Sequence, residues 1–189
     1  HRHYRRQRQM CIRDSYRADN LKHGDVDLKD CIASKEFLIN TGYVDRDKIG
    51  IMGGSYGGYL TAMALGRDSQ LFSGGVDIHG VHDRTLYGYL NSINYEKAPD
   101  YELARETAWE SSPIADMNTW KSPVLIIHAD DDRNVYFKQS TDLVQRLRNT
   151  NVYMETMVIV DDTHHFMMFD NQMKVNKATA DFLIRLAEG

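Results

Sequence analysis

Apolar positions recur along the chain with two different periods, and the changes of period mark its elements. From Asp25 to Thr41 the apolar residues Leu28, Cys31, Ile32, Phe37 and Leu38 follow a roughly helical spacing, and Gly42 stands after them as a stop. The short apolar run KIGIMG (48–53) predicts a buried strand, and YGGYLTAMALG (56–66) a helix that closes at Gly66. GGVDIHG (74–80) is a weaker strand, because it carries Asp77 and His79. The polar and aromatic stretch 83–120, with Tyr87, Tyr89, Tyr95, Tyr101 and Trp109, predicts short helices. SPVLIIHA (122–129), entered through Pro123, is the clearest strand. Residues 137–149 read as a helix with Leu143, Val144 and Leu147 turned inward. NVYMETMVIV (151–160) alternates and then becomes wholly apolar, as a strand does. The last helix runs from about Gln172 to Ala187, with Val175, Ala178, Phe182, Leu183 and Leu186 on one face. Strands that alternate with helices predict the α/β class: a mostly parallel sheet with helices on both faces.

Composition adds limits to that pattern. The 189 residues are 42% hydrophobic and 26% charged, enough for one globular domain and hardly for two. Two cysteines, Cys11 and Cys31, make no disulfide framework. No apolar run approaches the length of a membrane span. The formal charge of −4 is uneven: residues 1–15 hold five arginines against one aspartate, which leaves −8 for the rest. Within that basic head, RRQRQMCIRDS (5–15) matches one reading frame of a transposase adaptor used in sequencing libraries. Residues 1–15 are therefore expected to be a scar, and 16–189 the protein proper, cut at its N-terminal side. Any targeting signal would lie upstream, so the compartment is left open. The acidic body argues against a nucleic-acid partner.

One stretch carries candidate chemistry. Gly53-Gly54-Ser55-Tyr56-Gly57 fits G-x-S-x-G at a strand-to-helix turn, where a sharp bend lifts a serine hydroxyl above the sheet. A Cβ at Gly53 or Gly57 is expected to collide across that bend. The helix N-terminus beneath points N–H groups at developing negative charge, with the Tyr56 N–H as the natural first oxyanion donor. A phosphate-binding or merely tight turn fits the same local pattern, although the glycine spacing does not make G-x-G-x-x-G. Partners in chain order favour the nucleophile. A serine needs a histidine to accept its proton and an acid to orient that histidine. Three candidate acids, Asp130, Asp131 and Asp132, follow PVLIIHA, and two candidate bases, His164 and His165, follow MVIV.

GYVDRDKIGIMGGSYGGYLTAM, SPVLIIHADDDRNV and VIVDDTHHF resemble the catalytic domain of the prolyl oligopeptidase family of serine peptidases, over nearly all of residues 20–187. The resemblance implies an α/β-hydrolase fold lacking its first strands, and a Ser55–Asp132–His164 triad that hydrolyses peptide bonds of oligopeptides without a cofactor or metal. Asp132 lies four residues after His128 and three before Val135, and His164 follows a short acidic segment. By position, Tyr56, Val81, Tyr87, Asn134 and Val135 would line the pocket for the residue before the cleaved bond. Arg84 stands where relatives commonly have tryptophan, and Ala129 where they commonly have glycine. The family's second oxyanion donor, a tyrosine hydroxyl, and its β-propeller would both lie upstream, so this segment alone is expected to be weakly active or inactive. Peptides are the implied partners, with an oligomer left open. A carboxylesterase and a non-catalytic binding module remain as alternatives.

Other clusters carry less. His79-Gly80-Val81-His82-Asp83 lacks further spaced metal ligands and reads as loop structure. Asp130 to Asp132 lack calcium-loop spacing, which leaves Asp130 and Asp131 as turn-forming or supporting groups. Cys31 reads as a small buried residue and the nine methionines as core filler.

Overall fold

The computed structural model describes residues 22–86 and 98–189. The N-terminal scar assignment and Tyr87 lie outside the described residues. Four strands, β1 (Ile51–Gly54), β2 (Gly75–Ile78), β3 (Val124–Ala129) and β4 (Met154–Ile159), form one sheet in the order β1-β2-β3-β4, every pair parallel. Among the described residues, five α-helices accompany them: α1 (Val26–Asn40), α2 (Tyr56–Arg67), α3 (Tyr101–Glu110), α4 (Lys138–Leu147) and α5 (Phe169–Glu188). Short 3₁₀ turns at Arg84–Leu86 and Pro113–Asp116 join α3 in the helical stretch expected between 83 and 120, of which residues 87–97 lie outside the described residues.

The sheet is covered on both faces, which is why β3 is buried at every position and apolar but for His128. Its residues nonetheless alternate between two cores. Val124 and Ile126 join Tyr59, Met63 and Leu65 of α2 and Leu143 and Leu147 of α4. Leu125, Ile127 and Ala129 join Val76, Ile159, and Val175 and Phe182 of α5. Parallel pairing has a functional consequence: it places every strand's C-terminal end at one edge. Gly54 pairs with Ile78, Ile78 with Ile127, and Ala129 with Ile159. The residues after them, Ser55, His79, Asp130–Asp132 and Asp161–His165, therefore gather along one rim.

Several local expectations change. In α1 the inward stripe is Leu28, Ile32, Lys35 and Ile39, at 4-3-4 spacing, with Leu28 and Lys35 buried and the two isoleucines half-buried, while Phe37 and Leu38 are exposed. Lys35 holds a core position because its ammonium donates to the Leu71 carbonyl and lies 5.4 Å from the centre of the Phe72 ring. Cys31 is only half-buried. α2 runs one residue beyond Gly66, and α5 begins at Phe169, three residues before the expected start. Met63 is core, yet Met52, Met167, Met168 and Met173 are exposed. Core filling accounts for only part of the methionine set.

β2 tolerates the buried Asp77 because residues just after the strand satisfy its carboxylate. The buried Asp77 accepts the Gly80 N–H through Oδ1 and pairs with His82 Nε2 through Oδ2 at 2.5 Å. His82 Nδ1 meets the Gln139 carbonyl at 3.0 Å. Burial opposes a charge on His82, but the Asp77 carboxylate outweighs it and holds the imidazole above its ordinary value.

Glycine is required where α2 meets the sheet. A Cβ at Gly53 would lie 2.4 Å from the Gly57 carbonyl carbon, as expected for the bend. At Gly57, against expectation, a Cβ would point into open space. The close approach falls one residue later, at Gly58, where a Cβ would stand 2.6 Å from Asp77 Oδ1, 2.8 Å from the Ile78 oxygen and 2.9 Å from Gly80 Cα. Backbone cannot yield as a flexible side chain does. Gly58→Ala is expected to destabilise the fold by about 3 kcal/mol, measured by denaturant unfolding, with Gly57→Ala far milder.

Candidate active site

Ser55 sits between β1 and α2 with φ 55° and ψ −116°, a region that side chains rarely occupy. Such strain costs on the order of 1–3 kcal/mol and persists only where surrounding bonds impose it. Here the Ser55 N–H is held by two acceptors, the Ile78 carbonyl at 2.9 Å and His79 Nδ1 at 2.9 Å. The half-buried serine stands at the head of α2, with the Tyr56 N–H opening the helix behind it. Tyr56 is partly exposed, and its hydroxyl donates to the Asp27 carboxylate of α1 while meeting His23 Nδ1 at 2.9 Å. Burial and the Asp27 carboxylate push that hydroxyl's pKa well above its ordinary value.

Of the three acids after β3, one is built into the site. Asp132 is 3% exposed and uses both oxygens. Oδ1 accepts the N–H groups of Asn134 at 2.9 Å and Val135 at 3.0 Å. Oδ2 lies 2.6 Å from His164 Nδ1 and 3.2 Å from His128 Nε2. Burial alone would raise the Asp132 pKa, but the bonds from His164, Val135 and Asn134 outweigh it and keep the carboxyl below the ordinary range. Asp130 instead accepts the Asp161 N–H, tying the two loops together, and Asp131 faces Arg133 at the surface. His128 is oriented in turn: Nε2 lies 2.9 Å from the Val135 carbonyl, so it carries the proton, and Nδ1 faces the Ser140 hydroxyl at 2.7 Å.

The two histidines after β4 also part company. His164 is buried against Asp132, whereas His165 is exposed, its ring 5.2 Å from that of His164. The loop is shaped by Asp162, which accepts the N–H groups of Thr163 and Met167 and the side-chain amide of Asn171. Asp161 and Phe166 on either side take positive φ. Among the described residues the Ser55 hydroxyl forms no hydrogen bond.

His79 is the residue that sequence reasoning set aside. It is 8% exposed, and its ring centre lies 4.2 Å from that of His164 and 5.3 Å from that of Phe166. The H-x-x-H reading hid it, because His79 and His82 serve different partners. Burial, with the His164 and His128 rings alongside, pushes the His79 pKa from 6.5 down to about 4. An unfolded chain therefore takes up a proton near pH 6.5 that the folded chain refuses until about pH 4. Stability is expected to fall by about 3 kcal/mol through this group as pH drops from 7 to 4. Urea unfolding of wild type against His79→Asn at both pH values isolates that loss.

His79, Asp132 and His164 offer ligand atoms within 4.8 Å of one another. The Asp132–His164 contact holds a proton and His79 Nδ1 accepts the Ser55 N–H, so these ligand atoms are already engaged in two separate hydrogen bonds. The expected pocket residues divide. Val81 and Val135 are buried in the core with Tyr59, while Tyr56 and Asn134 are exposed beside the rim.

A nucleophile-type turn, a buried carboxylate and a histidine at one sheet edge suit several hydrolase families. The model of the prolyl oligopeptidase family matches residues 13–189. The chain belongs to that family. Inactive dipeptidyl peptidase 10 of Rattus norvegicus is 32% identical over 143 residues, covering 75% of this chain and 18% of that protein. Dipeptidyl peptidase 4 of Sus scrofa is 30% identical over 156 residues, covering 79% and 20%. The chain thus spans about a fifth of the curated relatives it matches. Among solved structures, dipeptidyl peptidase 4 of Porphyromonas gingivalis superposes with a TM-score of 0.76 at 24% identity, covering 91% of this chain and 24% of that one. An acylaminoacyl peptidase bound to a chloromethyl ketone gives 0.70 at 27% identity, covering 85% and 27%. The fold is that of the α/β-hydrolase peptidases. One relative is named inactive, so membership of the family does not by itself establish turnover. No helix among the described residues is long and apolar enough to cross a membrane.

Proposed function

We propose that this chain is part of the catalytic domain of a serine peptidase, with Ser55 as nucleophile, His164 as general base and then acid, and Asp132 as the group that orients His164. The observation that carries the reading is the 2.6 Å contact between Asp132 Oδ2 and His164 Nδ1, on the rim that also carries the strained Ser55 turn. That contact fixes the proton on Nδ1 and leaves the Nε2 lone pair to accept one. Catalytic hydrogen bonds are often long before substrate arrives, so an unbonded Ser55 hydroxyl is compatible with the role.

The reaction proceeds by acyl transfer. Ser55 Oγ attacks the scissile carbonyl carbon, and its proton passes to His164 Nε2. Charge gathers on the carbonyl oxygen, where the Tyr56 N–H and the head of α2 stabilise it. The C–N bond breaks as the leaving amine takes the proton from His164, which leaves an ester on Ser55. Water then attacks that ester, giving its proton to His164. As the ester bond breaks, the proton returns to Ser55 Oγ and the acid leaves. Asp132 stays ionised throughout and stabilises the imidazolium. Oligopeptides are the substrates, with Tyr56 and Asn134 at the rim and Val81 and Val135 behind them shaping the pocket; Tyr87, outside the described residues, is assigned to the same pocket by its position in the family. The complete protein adds an upstream oxyanion tyrosine and a β-propeller from the same chain, with no cofactor.

The test compares an aminoacyl or dipeptidyl 4-nitroanilide with a short-chain 4-nitrophenyl ester, using the full-length chain. Amide cleavage that disappears in Ser55→Ala supports the peptidase. Turnover of the ester alone would make it an esterase, and turnover of neither, with Ser55 unreactive, a binding module.

A further inference from the structure

We infer that His79 is a positioning residue of the hydrolytic site: its Nδ1 lone pair anchors the Ser55 turn while its ring walls the His164 imidazole. The inference rests on the hydrolase reading above, but different observations carry it. A backbone N–H only donates, so the 2.9 Å contact from the Ser55 nitrogen makes Nδ1 an acceptor and places the ring proton on Nε2. The Ile78 carbonyl is the ordinary ladder partner of that N–H, and the imidazole is an additional one. With two acceptors the Gly54–Ser55 peptide plane is held from both sides, which is what a serine at φ 55° requires.

The chain gives up backbone comfort to put the ring there. His79 itself takes φ 44°, in the left-handed region. Gly54 leaves room for it: a Cβ at that position would stand 3.1 Å from His79 Cε1. On its other flank the ring meets His164 with centres 4.2 Å apart and planes tilted by 46°. One neutral side chain thus touches both the nucleophile's backbone and the base's ring, and restrains each from turning away. A displacement of about 1 Å at such a site costs on the order of 10² in rate.

The working atom can be identified by substitution in the full-length chain. Asparagine puts its amide oxygen near the position of Nδ1, and glutamine puts its oxygen near that of Nε2. His79→Ala and His79→Gln are expected to lower kcat on a 4-nitroanilide by about 30-fold with KM little changed. His79→Asn is expected to recover all but about threefold of that loss. Thermal midpoints separate misfolding from mispositioning, and the Asn–Gln comparison stands even if the alanine variant fails to fold. Wild-type kcat in His79→Ala, or equal kcat in His79→Asn and His79→Gln, would overturn this role and leave the triad intact. A wild-type chain whose Ser55 never reacts with a fluorophosphonate would overturn the hydrolase reading, and this role with it.

Discussion

Ser55→Ala is expected to lower turnover by on the order of 10⁶ in the full-length chain, to the rate left by binding and oxyanion contacts alone. The substitution deletes one oxygen at a half-buried position where the hydroxyl forms no hydrogen bond among the described residues. What holds the turn is backbone and His79: the Ser55 N–H still reaches the Ile78 carbonyl and His79 Nδ1. The Asp132–His164 contact is untouched as well. Chemistry should therefore vanish while the fold stays. Activity on a 4-nitroanilide and the thermal midpoint, measured on one preparation, check both halves. A fall in both together would mean that the serine serves the fold.

Asp132→Asn is expected to cost on the order of 10⁴ in kcat. An asparagine side-chain oxygen can still accept the N–H groups of Asn134 and Val135, so the loop keeps its shape. The amide nitrogen must then replace Oδ2, which faces His164 Nδ1 at 2.6 Å and His128 Nε2 at 3.2 Å. An amide donor there forces the proton on His164 from Nδ1 to Nε2, and Nε2 can no longer accept from Ser55. The His128 proton is equally ill-matched, since Nε2 already donates to the Val135 carbonyl. That second conflict adds a stability loss of about 1–3 kcal/mol. Steady-state kinetics and denaturant unfolding separate the two effects. An unchanged kcat would remove Asp132 from the mechanism.

Much of this arrangement was legible in the sequence, for identifiable reasons. β3 could be read because a strand covered on both faces is buried at every position, and from Val124 to Ala129 only His128 is polar. The order of the site loops could be read because parallel strands end at one rim, so the residues that follow β1, β3 and β4, a serine, an acid and a histidine among them, lie along the same edge. The choice of Asp132 over Asp130 depends on which side chain folds back under its own loop, where Asn134 and Val135 offer their N–H groups. Pattern alone does not reveal that. His164 and His165 are equivalent in composition and differ only in which one faces inward. His79 was invisible for another reason: its role requires a left-handed backbone at the end of β2 and the space above Gly54, and neither leaves a periodic trace. Gly58 was credited one residue too early, since the packing of α2 against β2 sets which glycine meets Asp77. In α1 the inward stripe passes through Lys35, a residue that hydrophobic counting skips.

The reading requires Ser55 to be an activated nucleophile. A fluorophosphonate probe incubated with the full-length protein, followed by peptide mapping, addresses it without assuming any substrate. One phosphonylated residue, Ser55, is expected, with labelling abolished by denaturation and slowed by several orders of magnitude in Asp132→Asn. An intact, folded protein whose Ser55 stays unmodified, or that labels at another residue, would contradict it.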